Sequence, residues 1–138
     1  MIYLIGSLRN PSVPVVARAM RQRGFMVFDD WYAAGPKADD HWQEYEQAKG
    51  ISYQHALRGY AAQHVFNFDK YHLNRADAGV LLYPAGRSCH LELGYLVGQG
   101  KPGFILLDKE PDRWDVMGAF SRVVLSVDEL LEALCEHR

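Results

Sequence analysis

Glu92 lies within residues 77–102, read from Ala76 as ADAGVLLYPAGRSCHLELGYLVGQGKP, and the order of side chains there places a carboxylate where covalent chemistry is feasible. The apolar run 78–83 is too short for a typical helix and is bounded by Asp77 and Pro84, so it predicts a buried strand. A polar turn follows, Pro84-Ala85-Gly86-Arg87-Ser88. Beyond it Leu91, Leu93, Tyr95, Leu96 and Val97 fall mostly on one side of a helix that Gly100 and Pro102 terminate. With Ser88 as N-cap, Glu92 falls within the second helical turn, where the helix dipole favours an ionised carboxylate facing the turn. Such a group is a candidate nucleophile; the plainer reading is an acidic residue near a helix start, which is common.

Three other places carry residues that suit the same chemistry. Asp69 precedes Asp77 by eight residues, on a helical stretch whose core face is Val65, Phe68, His72 and Leu73. That helix delivers the Asp69 carboxylate near the mouth of the central strand, although a lone aspartate on a helix is usually solvent-exposed. Gly6-Ser7-Leu8-Arg9 follows the first apolar run: glycine permits close backbone approach, a serine hydroxyl donates, and arginine binds a phosphate bidentately. These residues equally make a plain turn with a solvated arginine, and the P-loop spacing is absent. Asp29 and Trp31 stand at a strand end, where an acid and an aromatic suit sugar hydroxyls and a stacked base, or else a helix cap and a rim. Cys89 and His90 adjoin, but neighbours at a helix start point in different directions and no third group orients them.

The elements that must position these residues alternate. Strands are expected at Ile2–Ile5 and at residues 25–28, 78–83, 104–107 and 123–125. Helices are expected at 13–23, from Asp40 onward with breaks at Gly50 and Gly59, after Ser88, and after Ser126, where Ser126 and Glu129 fit a capping box. Residues 33–40 read as a loop about as long as a lid, and 112–120 as a short helix. The aromatic stripes Trp42/Tyr45/Ala48 and Tyr53/Ala56/Leu57/Tyr60 read as core or subunit contact. This pattern predicts an α/β fold: one doubly wound, Rossmann or flavodoxin-like domain over residues 1–138, with about five mostly parallel strands and helices on both faces.

Composition narrows the partners. The 138 residues are 49% hydrophobic and 23% charged, an ordinary globular balance long enough for a real core. A net charge of -2 gives no basic field for a nucleic-acid polymer. Two cysteines make neither a disulfide framework nor a metal site. No signal peptide precedes Ile2 and no run of 18 apolar residues occurs, so the expectation is a cytoplasmic protein without a membrane partner.

The opening IYLIGS, the helical Asp69 eight residues before the AD strand start, and GRSCHLELGY followed by GQGKP together resemble the nucleoside 2-deoxyribosyltransferase family, which includes related N-glycosidases of nucleoside 5′-monophosphates. The likeness covers most of the chain, is strongest over residues 69–102 and weakest over 31–63. It implies that Glu92 is the nucleophile attacking the anomeric carbon, that Asp69 handles the proton of the departing base, and that Tyr3 orients the nucleophile. It further implies retaining-glycosidase chemistry without a metal or organic cofactor. Gly6, Ser7 and Arg9, with Arg87 and Ser88 at the helix start, would match contacts to a 5′-phosphate. The transferase branch carries a carboxylate six residues before the nucleophile; Gly86 stands there, which favours the hydrolase branch. The resemblance also implies a homodimer or larger homo-oligomer, with Asp115 or Met117 completing a neighbour's site. Three readings follow: a nucleotide N-glycosidase, a deoxyribosyltransferase, or a non-catalytic nucleotide-binding sensor on the same fold.

Overall fold

The computed structural model describes residues 1–137. In chain order β1 (Ile2–Ile5), α1 (Val13–Gln22), β2 (Val27–Phe28), a 3-10 turn (Asp30–Ala34), α2 (Ala38–Ala48), α3 (Tyr53–Ala56), α4 (Tyr60–Arg75) and β3 (Ala78–Leu82) lead to the centre of the sheet. α5 (Arg87–Gly98), β4 (Gly103–Leu106), a second 3-10 turn (Val116–Phe120), β5 (Arg122–Val124) and α6 (Val127–Glu136) complete it. The five strands pair in parallel in the order β2-β1-β3-β4-β5. This is a single-domain, doubly wound Rossmann-like α/β fold, whose strand order reverses between β1 and β3.

Alternation along each strand assigns side chains to two faces. Ile2, Leu4, Ala78, Val80, Leu82, Phe104, Leu106 and Val124 join one cluster with α1 and α6 residues such as Val16, Met20, Leu130 and Leu134. Tyr3, Ile5, Phe28 and Leu81 join the other, with Leu73 from α4 and Cys89, Leu93 and Leu96 from α5. Val124 faces α1 and α6, so its neighbour Val123 faces the opposite way, and Gly118 of the second 3-10 turn lies against it.

Local chemistry sets the boundaries. Gly24, Gly50 and Gly100 adopt positive φ just past α1, α2 and α5, as helix stops require. The Ser126 hydroxyl accepts from Glu129 N, and the Glu129 carboxylate accepts from Leu125 N, which builds the expected cap of α6.

Four expectations need correction. β2 has two residues rather than four, because Phe25 N still bonds back to Met20 O at the end of α1. The lid-length loop over 33–40 is shorter, since α2 already begins at Ala38. On α4, Val65 and Phe68 are 58% and 45% exposed, so the helix rests on the sheet through Leu73, with Asp69 and His72 half-buried beside it. Tyr45 is likewise exposed, so of the two readings of the Trp42/Tyr45/Ala48 stripe, core or subunit contact, core does not hold. Among the described residues no helix is long and apolar enough to cross a membrane.

Candidate functional site

In an open parallel sheet the crevice opens at the carboxyl ends of the two strands between which the order reverses, here β1 and β3. The loop after β1 contains Gly6 to Asn10, and the turn after β3 runs from a cis Tyr83–Pro84 bond to Gly86. Asn10 ties them together. Its side chain is 3% exposed, its Nδ2 donates to Tyr83 O at 3.3 Å, and its Oδ1 accepts from Ser12 N at 2.9 Å. Sequence reading passed over Asn10; an Asn just before Pro-Ser is an Asx-turn signal and is the clue available there.

Tyr3, Asp69 and Glu92 come from β1, α4 and α5 and converge on the α4/α5 face of the sheet. Tyr3 is buried with its ring 5.0 Å from that of Phe28. Burial pushes the Glu92 carboxyl up to about 7, the nearby Asp69 charge pushes it further the same way, and the Tyr3 hydroxyl acts in the opposite sense. Burial alone pushes Asp69 up to about 6. The Tyr3 phenol is raised, first by its own burial and then by the two carboxylates. Its hydroxyl lies toward Glu92, close enough to couple with it, yet meets no acceptor in full hydrogen-bond geometry.

Burial thus opposes the helix dipole expected to keep Glu92 ionised. Gly86, not Ser88, is the N-cap of α5, so Glu92 lies deeper in the helix, and desolvation outweighs the dipole. Both carboxyls are thus raised toward neutral pH, Glu92 further than Asp69.

The remaining candidates divide. Gly6 lies beside this crevice: a Cβ added there would meet Val13 Cγ2 at 3.1 Å and the Trp31 ring at 3.5 Å. Trp31 Nε1 donates to Leu4 O at 2.8 Å, which anchors its half-buried ring at the carboxyl end of β1. Ser7 Oγ accepts from Arg9 N at 3.1 Å, a local turn contact. Arg9 is exposed and its Nη2 reaches both carboxylate oxygens of Asp40, at 3.2 and 3.0 Å. Asp29, expected to meet sugar hydroxyls, is instead ion-paired with Arg21 at 2.6 Å on the α1 side. Gly86, Arg87 and Ser88 are exposed at the start of α5, which has no side-chain cap. Asp115 accepts from Met117 N at 2.9 Å; both are exposed on the β4–β5 connection.

His90 turns away from Cys89. Its Nδ1 donates to Gly86 O at 2.8 Å, which leaves Nε2 to accept from the Tyr83 hydroxyl at 2.9 Å. Burial raises the Cys89 thiol, so the adjacent pair is no activated thiolate. A hollow of about 630 Å³ is lined by Ala85, Gly86, Arg87, His90 and Leu91 on the outer side of this first turn. A second, of about 450 Å³, lies over Pro14, Arg18, Arg21, Gln22 and Asp29. Neither is lined by Tyr3, Asp69 or Glu92. Among the described residues no three His, Cys, Asp or Glu side chains converge as metal ligands.

No family model matches the chain, and the search of curated proteins returns no match either.

Proposed function

We propose that this protein cleaves the N-glycosidic bond of a nucleoside or nucleoside 5′-monophosphate through a covalent glycosyl ester on Glu92, with water or a second base then taking the sugar. One observation carries the reading: a phenol and two carboxyls from three separate elements meet in a desolvated setting beside the crevice of a parallel sheet. The Glu92 oxygen bonds to C1′ as the C1′–N bond breaks, the bonding pair leaving with the base; because Asp69 is the more acidic of the two in the free protein, bound substrate must first shift the proton from Glu92 to Asp69, which then gives it to the base. Positive charge growing on the sugar ring favours the ionised form of Glu92, which offsets the burial that raises it. The Tyr3 hydroxyl then donates to the carboxylate and fixes the attacking oxygen. In the second half, water loses a proton to Asp69 and displaces Glu92 from C1′.

The residues at the rim favour the hydrolytic form acting on a monophosphate. Gly86 stands where the transferase branch has a carboxylate, and Gly6, Ser7, Arg9, Arg87 and Ser88 supply donors to a phosphate once Arg9 leaves Asp40. Such a substrate belongs to the cytoplasmic nucleotide pool, where we place the protein. A second copy of the chain covers the exposed Phe66, Tyr71, Leu91, Tyr95 and Met117 on the α4/α5 face, and brings its own Asp115 or Met117 toward Glu92.

The rival reading, a nucleotide-binding module without turnover, draws on one observation: neither hollow is lined by Glu92. Incubation with single deoxynucleoside monophosphates, and separately with a deoxynucleoside plus a free base, decides among the three when free base is followed by chromatography. Base release that Glu92→Gln abolishes supports the proposal; tight binding without release, unchanged in that variant, sinks it. Light scattering after gel filtration tests the second copy, which a monomer at micromolar concentration would exclude.

A further inference from the structure

Across the α4/α5 face one row of the sheet has an uneven profile. Phe28 pairs with Tyr3, Tyr3 with Gly79, and Gly79 with Gly103, so two large rings sit beside two positions with no side chain. α5 lies over the bare half. A Cβ at Gly79 would stand 2.4 Å from Leu96 Cδ1, and one at Gly103 would stand 2.8 Å from Val97 Cγ2 and 3.0 Å from Leu93 Cδ1. Contacts that short do not occur between real side chains; the atoms met are side-chain ends, but Leu96 and Leu93 are buried with no free space to turn into, so α5 sits lower over β3 and β4 than it could over alanine. Neither glycine is there for its backbone, since neither has positive φ. Glu92 lies on the same helix, one residue before Leu93 and four before Leu96.

We infer that Gly79 and Gly103 are positioning residues: they form a trough that sets the height of α5 above the sheet and so holds the Glu92 carboxyl against the Tyr3 hydroxyl. This rests on the proposed role of Glu92 for its functional meaning, but the placement itself is independent of any reaction. Raising α5 by the width of a methyl group would admit water to Glu92 and weaken its coupling to Tyr3 and Asp69. Leu93, Leu96 and Val97 fill the trough, and Gly94, with nothing within 4 Å of an added Cβ, marks the open side of the same helix.

The test is a ¹³C NMR titration of side-chain-labelled glutamate, with the Glu92 signal assigned through Glu92→Gln. The native carboxyl is expected to titrate near 7. In Gly79→Ala it moves down by about one pH unit as burial is relieved, while Gly94→Ala leaves it in place. Adding Leu96→Val removes the clashing carbon and conserves total volume, so the double variant returns to the native titration. If Gly79→Ala does not fold, recovery of both fold and titration in the double variant carries the same conclusion. A folded Gly79→Ala with the native titration overturns the inference. So does a double variant that fails to recover, because the added methyl would then be intolerable for some reason other than the height of α5. Absence of base release from every nucleotide would remove the proposed function without touching this readout.

Discussion

The two faces of the sheet are built to different ends. On one, α1 buries Val13, Val16, Ala17 and Met20, and α6 buries Leu130, Leu131, Ala133 and Leu134, so apolar area is removed from water with almost no polar interruption. On the other, the 16-residue α4 buries only Leu73, while Tyr3 is buried, Asp69 and Glu92 are half-buried beside it, and Phe66, Tyr71 and Leu91 remain exposed. Stability is therefore concentrated under α1 and α6. Desolvated carboxyls that oppose folding, and apolar surface awaiting cover, are concentrated under α4 and α5.

The contrast can be broken or sharpened by experiment. Glu92→Gln should lower base release by at least about 1000-fold while the protein stays folded, as chromatography and circular dichroism would show. Base release that survives the substitution would mean the polar face has no catalytic purpose. Leu130→Ala on the opposite face should cost about 2–5 kcal/mol in urea unfolding, with the kinetic constants of the remaining folded protein unchanged. Val65→Ala, exposed on α4 and outside the surface assigned to a second copy, should stay within about 0.5 kcal/mol in the same assay, and a larger loss would show that α4 is packed as α1 is.

Acidity separates the faces as well. Burial raises Glu92 and Asp69 above their unfolded values, so the folded form holds these protons more tightly. The resulting contribution to stability is full below about pH 4 and is lost as pH rises through about 6 for Asp69 and about 7 for Glu92. For Glu92 the loss is on the order of 3 kcal/mol. Thermal unfolding should therefore show Glu92→Gln more stable than the native protein at pH 8, with little gain at pH 5. The smallest effect belongs to the rim: Asp40→Asn, which frees the exposed Arg9, should alter stability by less than about 1 kcal/mol. The same change should tighten binding of a nucleoside monophosphate relative to its nucleoside, measured calorimetrically.

Much of this architecture is legible in the residues alone. Short apolar runs alternating with helical periodicity predict the parallel sheet, and the Gly24, Gly50, Gly59 and Gly100 breaks mark helix boundaries closely because glycine acts locally. Local signals fail where tertiary contact decides. The spacing on α4 suits a core face, yet Val65 is exposed and Phe68 is only partly covered, its ring 5.9 Å from that of Phe28 at the two-residue edge strand β2. Ser88 is a better capping residue than Gly86 by type, yet the helix starts two residues sooner. The helix dipole near Glu92 is a local effect, whereas its burial and the neighbouring Asp69 charge come from elements distant in the chain. Asp29 went to Arg21 for the same reason: helix α1 returns along the sheet and brings a guanidinium to it.

Trp31 places a ring edge beside Gly6 and gives its indole hydrogen to the carbonyl of Leu4, a position that two-residue β2 is too short to pair. The emission of an indole responds to the field along its N–H bond, and here that bond ends on the backbone from which the crevice loop springs. One of the three tryptophans is thereby wired to the carboxyl end of β1, and a ligand that settled against Gly6 would announce itself in the protein's own fluorescence, without a label.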